Sequence, residues 1–454
     1  MKNSSYKLPQ HYSFKSIWRI TLPILVSLVM EELLGMTDTA FLGRVGEIEL
    51  GASAIAGVYF TILYMLGFGF SIGVQIIIGR RNGEACESGK GFDSIGRVFW
   101  QGVWFLSALA FVTMVLSFFL SPPLLHSLVK SENIFTASVV YVNWRVLGLL
   151  FAFMTALFRA FYVGICETAS LTWNSIVLIV SNILLDWALI FGHWGAPEMG
   201  IKGAALASSI AEGISFVFFV VWATFKADKI YGLQKIVKPV WNELKHMFST
   251  ASWVMLEYVL NISVWLLFFL FIEHLGEEEL AVANIVRSIS EVPFVFSAAF
   301  ASTAATLVSN IIGEGHPEGV DTIIRRVLLL CAVTMLPLLV FFSLCPHLII
   351  GMFTDIPSLV QASVPTLWVM CATTVITLPW NVYLQSVAGT GDTRVCLRCD
   401  AVALCIYAVY CTFIIGILKS SIAVCWTADG VYSLCIWIQC AIYIHRKKWI
   451  NKAI

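Results

Sequence analysis

Charge is scarce in this chain. Asp, Glu, Lys and Arg together make up 12% of its 454 residues, about half the share found in soluble domains. The deficit argues against a soluble globular fold. The 28 basic and 28 acidic residues cancel, so no net field is available to hold a nucleic acid. Histidine is sparse too, with eight residues, mostly near predicted loops and in no paired metal-ligand spacing. Gly83 to Lys90 lacks the spacing and the hydroxyl residue of a phosphate-binding loop, and nothing else suggests nucleotide hydrolysis. The chain also lacks the segments of about ten residues with alternating polarity that build a membrane barrel.

What it has is apolar length. Hydrophobic residues are 59% of the total, gathered into twelve runs of about 20 residues or more, the length that crosses a bilayer as a helix. Backbone groups in lipid must be satisfied within the chain, which makes such spans helical. The predicted fold is an all-α membrane protein with twelve transmembrane helices in two pseudo-symmetric six-helix bundles. Lys and Arg set its orientation. With the N-terminus inside, the inner loops hold Lys2, Lys7, Lys15, Arg19, Arg80, Arg81, Lys90 and Arg97. They also hold Lys226, Lys229, Lys235, Lys238, Lys245, Arg325, Arg326, Arg394, Arg398 and the Arg446-Lys447-Lys448 tail. The outer side keeps only Arg44, Lys130, Lys202 and Lys419. Both termini are therefore expected in the cytoplasm. The first apolar run is long and has no small-residue cleavage site, so it does not read as a signal peptide. The 12 cysteines fall mostly inside spans, where thiols behave as small hydrophobes. Cys396-Leu397-Arg398-Cys399 is a lone CxxC without the second ligand pair that zinc needs.

The chain repeats itself. Val45-Gly46-Glu47-Ile48-Glu49-Leu50 recurs as Leu275-Gly276-Glu277-Glu278-Glu279-Leu280, and the same offset carries Gly83-Glu84 onto Gly313-Glu314. The offset is about half the chain. An even number of spans per half makes the repeats parallel, an arrangement found in transporters. The predicted units are residues 1–224, a basic cytoplasmic linker at 225–245, and residues 246–454.

Several motifs then fall in order. The first span reads Leu22-Pro23, then Met36-Thr37-Asp38-Thr39 and Gly43-Arg44-Val45-Gly46; the second ends in Gly79 and Asn82-Gly83. The fifth reads Ser181-Asn182-Ile183-Leu184-Leu185-Asp186, followed by Phe191-Gly192, and the sixth opens Gly200-Ile201-Lys202-Gly203-Ala204-Ala205-Leu206-Ala207-Ser208. Ala388-Gly389-Thr390-Gly391-Asp392-Thr393 is echoed by Val163-Gly164-Ile165-Cys166-Glu167-Thr168. Together these resemble the MATE family, the multidrug and toxic-compound extrusion transporters, over nearly the whole chain. The resemblance implies two six-helix bundles around a central cavity. It further implies alternating access driven by inward Na+ or H+, with export of amphipathic, often cationic, drugs. It points to a bacterial source and an inner (plasma) membrane location.

Asp38 is the first candidate for ion coupling. A carboxylate inside a bilayer costs a few kcal/mol, so such an acid is functional by default; the bland alternative is an interfacial Asp beside Gly43-Arg44. The resemblance makes it a coupling acid of the N-terminal bundle. Asn182 and Asp186 are four apart and share a helix face. Their oxygens suit a hard cation, which would make Asp38, Asn182 and Asp186 metal ligands if sodium is the coupling ion. A proton site instead wants a desolvated carboxyl or a second nearby acid, and Asp38 beside Asp186 serves either purpose. The alternative is a polar pair tying two helices together. Ser208 stands where the family often has Thr and joins the set as an oxygen ligand.

Glu31 lies seven residues before Asp38, nearly two helical turns, and so shares its face. It either lines a substrate cavity or pairs with a buried base such as Arg145. In the second half the family's acid columns hold Asn261 and Thr377, with Glu257 one turn before Asn261. Glu257 and Asn261 are cavity candidates, and a second cation site there is in doubt. Arg287 and Glu291 are four apart and most simply form an ion pair, with a substrate-facing role as the alternative; Asp400 reads as structural. Pro23 removes a helical hydrogen bond and kinks the first span, either as a hinge or as a static bend.

The leading reading is a cation-coupled exporter of small amphipathic substrates, a monomer in the bilayer that uses no cofactor beyond its coupling ion. The alternative is a flippase for lipid-linked saccharides, which would want a more cationic cavity than Arg145 and Arg287 supply. An intramembrane enzyme would need a nucleophile and base, or a metal cluster, at membrane depth, and the sequence shows none.

Overall fold

A computed structural model describes residues 12–225, 229–273, 275–447 and 449–450. Lys2, Lys7, Lys226 and Lys448 lie outside the described residues. In chain order the helices are α1 (Phe14–Val45), α2 (Glu47–Ser88), α3 (Asp93–Leu128), α4 (Glu132–Arg145), α5 (Leu149–Gly164), α6 (Ala169–Phe191), α7 (Ile201–Phe225) and α8 (Trp241–Glu273). They continue as α9 (Glu277–Gly313), α10 (Val320–Leu344), α11 (Pro346–Ile350), α12 (Pro357–Thr377), α13 (Trp380–Gly389), α14 (Thr393–Cys411), α15 (Ile422–Cys425) and α16 (Thr427–Arg446). No strand occurs among the described residues. Eleven spans are long and apolar enough to cross a membrane, with α4–α5, α12–α13 and α15–α16 each forming one span. The 33-residue α8 supplies the twelfth.

The repeated glycines end helices. Gly46 precedes α2 and Gly276 precedes α9. Gly276 has φ 149°, a backbone that side chains other than hydrogen rarely adopt, and a Cβ there would meet Glu279 Oε2 at 2.5 Å. The acids that follow, Glu47 and Glu49 in one helix and Glu277–Glu279 in the other, lie in the first turns, where the helix dipole favours negative charge. The fourth span of each half is interrupted: a 3₁₀ turn at Val146–Gly148 separates α4 from α5, and Leu378-Pro379 separates α12 from α13. Pro379 has no N–H to donate, so the helix cannot run through it undisturbed.

The chain divides into two compact units. One is Leu22–Met255; the other joins the residues up to Thr21 with those from Leu256 onward. The division passes beside Pro23 in α1 and through α8. Within the first unit, α2 meets the start of α8 closely, since a Cβ on Gly69 would fall 2.8 Å from Met255 Cα and one on Gly73 2.7 Å from Ala251 Cα. Small residues permit such backbone approach in membranes. The segment before α8 is pinned to α3, where Trp100 donates to Leu233 O (3.0 Å), Trp104 to Val237 O (2.9 Å) and Gln101 to Lys238 O (3.0 Å). In the second unit the start of α1 is tied to α9. Tyr12 donates to Glu314 Oε1 (2.8 Å), and the hydroxyls of Thr21 and Thr303 lie 3.0 Å apart.

Candidate functional site

Within the first unit, α1, α6 and α7 bring four polar side chains to one point. Asn182 and Asp186 are fully buried and face the same way, one turn apart on α6. Ser208 on α7 is buried, and Asp38 on α1 is half-buried. With its Nδ2 turned towards the acids, Asn182 donates to Asp38 Oδ1 at 2.9 Å and to Asp186 Oδ2 at 3.0 Å. The two carboxyl groups lie within hydrogen-bonding reach of each other. Ser208 Oγ is 3.4 Å from Asp38 Oδ2 and 3.1 Å from the Ala204 carbonyl. Asp186 Oδ1 is buried without a hydrogen-bond partner. A buried polar atom left unmatched is costly, and here it is a carboxyl oxygen beside a second acid.

Arg145, at the end of α4, is the basic side chain whose charge bears on both carboxylates. It is held by Glu212 of α7 at 2.6 Å, and its guanidinium lies 3.8 Å over the Phe60 ring. Glu31 belongs to a different pair. Its Oε1 accepts from Arg159 of α5 at 2.6 Å and from Ser27 at 3.5 Å. Of the two readings of Glu31, pairing with a basic side chain is the one seen, but the base is Arg159 of α5 and not Arg145, which is committed to Glu212. Arg159 also corrects the view that Arg145 and Arg287 are the basic residues within spans. Arg159 and Glu212 escape sequence reasoning because each partner comes from a distant helix, at no helical spacing.

In the second unit Glu257 is buried on α8. Asn261, one turn on, donates to Tyr432 Oη at 3.4 Å, and Tyr432 in turn donates to the buried Asp400 in a short hydrogen bond. Arg287 and Glu291 form an ion pair at 3.1 Å on α9. Asn261 and Glu291 both line a cavity of about 110 Å³ bordered by α8, α9, α10, α12, α13 and α16. Glu257 and Arg287 do not line it. Asp429 and Trp380 do, and sequence reasoning passed over both because they stand at helix starts.

The sequence profile of the family described as MatE matches residues 23–188 and matches again at 254–421, together well over half of the chain. The chain belongs to the MATE transporter family. The double match repeats the internal duplication. A "Probable multidrug resistance protein NorM" of Agrobacterium fabrum is 24% identical over 356 residues, covering 77% of this chain and 74% of that protein. A solved structure described as the outward-facing conformation of a multidrug resistance MATE family transporter of the MOP superfamily superposes with a TM-score of 0.87 at 15% identity, covering 99% and 100% of the two chains. A MOP superfamily transporter from Pyrococcus furiosus superposes equally well, at 0.87 and 16% identity over 99% and 100%, and its description reports a binding pocket of reverse polarity that suggests a different function. The shared fold therefore does not by itself fix the cargo, which must be argued from side chains. The MATE chain is a multi-pass membrane transporter and not an enzyme.

Proposed function

We propose that this MATE protein is an antiporter that exports small amphipathic cations and takes a proton inward at the Asp38–Asn182–Asp186–Ser208 site. The observation that carries the reading is the meeting of two carboxyl groups, Asp38 and Asp186, at the buried Asn182 amide, which reaches them at 2.9 and 3.0 Å when its nitrogen is turned towards them. Two adjacent carboxylates in a medium of low dielectric repel each other strongly, so the site needs a positive charge from outside. A proton between Asp38 and Asp186 supplies it without disturbing Asn182. Sodium would want the amide turned to present its oxygen, and five or more further oxygens around it. Sodium is the second reading, kept because the unpartnered Asp186 Oδ1 and Ser208 Oγ are both within the cluster.

Occupation of the site would favour one conformation by binding it more tightly than the other, and bending of α1 at Pro23 would link the site to alternating access. Glu31, Glu257, Asn261, Arg287 and Glu291 are the side chains proposed to meet substrate. The orientation proposed from the basic loops places both termini in the cytoplasm of a cell whose inner membrane holds the protein as a monomer. The few basic residues within the spans, each already paired with an acid, do not suit a diphosphate and disfavour the lipid flippase. The test is ion binding by purified protein. Proton release on addition of substrate, absent in Asp38→Asn and insensitive to sodium, is expected. Sodium-dependent binding that vanishes in Asp38→Asn would replace the proton with sodium.

A further inference from the structure

We infer that the cavity of the second unit is a recognition site for an organic ammonium group, with Asp429 as its counter-ion. The cavity lies inside a helical bundle and measures about 110 Å³, room for a small ammonium head and little more. Asp429 faces it from the first turn of α16. Its carboxylate forms no ion pair among the described residues, whereas Glu291, which also lines the cavity, is neutralised by Arg287 at 3.1 Å. One uncompensated acid within a membrane span marks a ligand site by default. A second observation points the same way: Ser297 lines the cavity, is only 5% exposed, and its Oγ has no hydrogen-bond partner.

The walls choose between ligands. Trp380, Trp426 and Tyr432 are among the lining residues, as are Met335 and Met370. Aromatic rings attract alkylammonium ions through cation–π contact, and thioethers are soft, adaptable surfaces. A bare alkali or alkaline-earth ion wants a cage of oxygens instead, and no group of three His, Cys, Asp or Glu among the described residues is placed to hold a metal. The break at Leu378-Pro379 opens onto the same cavity, and interrupted helices at substrate sites are a recurring device of transporters. The inference rests on the reading of the protein as an exporter of amphipathic cations and says where the charged head of such a cargo is recognised.

The probe is tetramethylammonium, titrated calorimetrically into the full-length protein in lipid nanodiscs without any ion gradient. Saturable binding is expected, weakened at least about tenfold in Asp429→Asn, the loss that follows removal of one charged partner. Ser297→Met, which fills the cavity and leaves the acid in place, should weaken binding as much and decides the matter if Asp429→Asn does not fold. Absence of saturable binding by the wild type, or a change of less than tenfold in the folded variants, overturns the site. Ethidium efflux by the wild type is measured in parallel. Normal efflux with binding indifferent to Asp429 removes this site alone, whereas Asp429-dependent binding without efflux under any gradient removes the exporter reading and leaves the site.

Discussion

Replacing Glu212 by Gln should destabilise the first unit far more than replacing both members of its pair. Glu212 and Arg145 lie 2.6 Å apart with side chains 15% and 11% exposed. Each still has a buried polar atom unmatched, Arg145 Nη1 and Glu212 Oε2, so neither has a spare partner to turn to. Removing one member of such a pair leaves a buried charge alone and costs about 3–5 kcal/mol, while exchanging both for apolar groups of similar volume is close to neutral. The Phe60 ring at 3.8 Å recovers a little for a lone guanidinium, about 1–2 kcal/mol. Glu212→Gln is therefore expected to lose about 2–3 kcal/mol and Arg145→Met/Glu212→Leu less than about 1 kcal/mol. Reversible unfolding in mixed detergent, read as a double-mutant cycle, gives both values. A Glu212→Gln protein as stable as the wild type, or a double variant as unstable as the single one, would refute the claim that this pair is held together in a low-dielectric interior.

Three further outcomes follow from particular contacts. Asn182→Leu removes the donor shared by Asp38 and Asp186 and should abolish ion-coupled efflux while the protein still reaches the membrane; coupled efflux near the wild-type rate would count against the shared amide. Gly73→Ala places a methyl 2.7 Å from Ala251 Cα, so a loss of about 1–3 kcal/mol in unfolding free energy is expected from overpacking, and an unchanged midpoint would mean that α2 and α8 can part at no cost. Gln101→Ala frees the backbone at Lys238 and Val240, which it now holds at 3.0 and 2.9 Å; protease should cut the segment before α8 faster, and an unchanged cleavage rate would show that Trp100 and Trp104 suffice.

The helices were legible because lipid leaves a chain few choices. A run of about 20 apolar residues in a membrane is a helix, and the recurring Gly46 and Gly276 mark where two of them begin. Asp38, Asn182, Asp186 and Ser208 stood out because polar groups within spans are few, and because spacing by four puts Asn182 and Asp186 on one face. What stayed hidden depends on contacts between helices. Glu31 and Arg159 are 128 positions apart, and no periodicity within one helix connects them. Asp429 does not stand out in the sequence because an acid in a first helical turn has an ordinary explanation in the helix dipole; the cavity it faces becomes visible only in the structure.

The central claim, that the buried acid cluster couples ion entry to export, is tested most directly in proteoliposomes loaded with ethidium, under an imposed proton gradient or an imposed sodium gradient, with Asp38→Asn protein alongside. The account predicts efflux driven by the proton gradient, no response to sodium alone, and none from the variant. Coupled efflux by well-folded Asp38→Asn protein at the wild-type rate would contradict it.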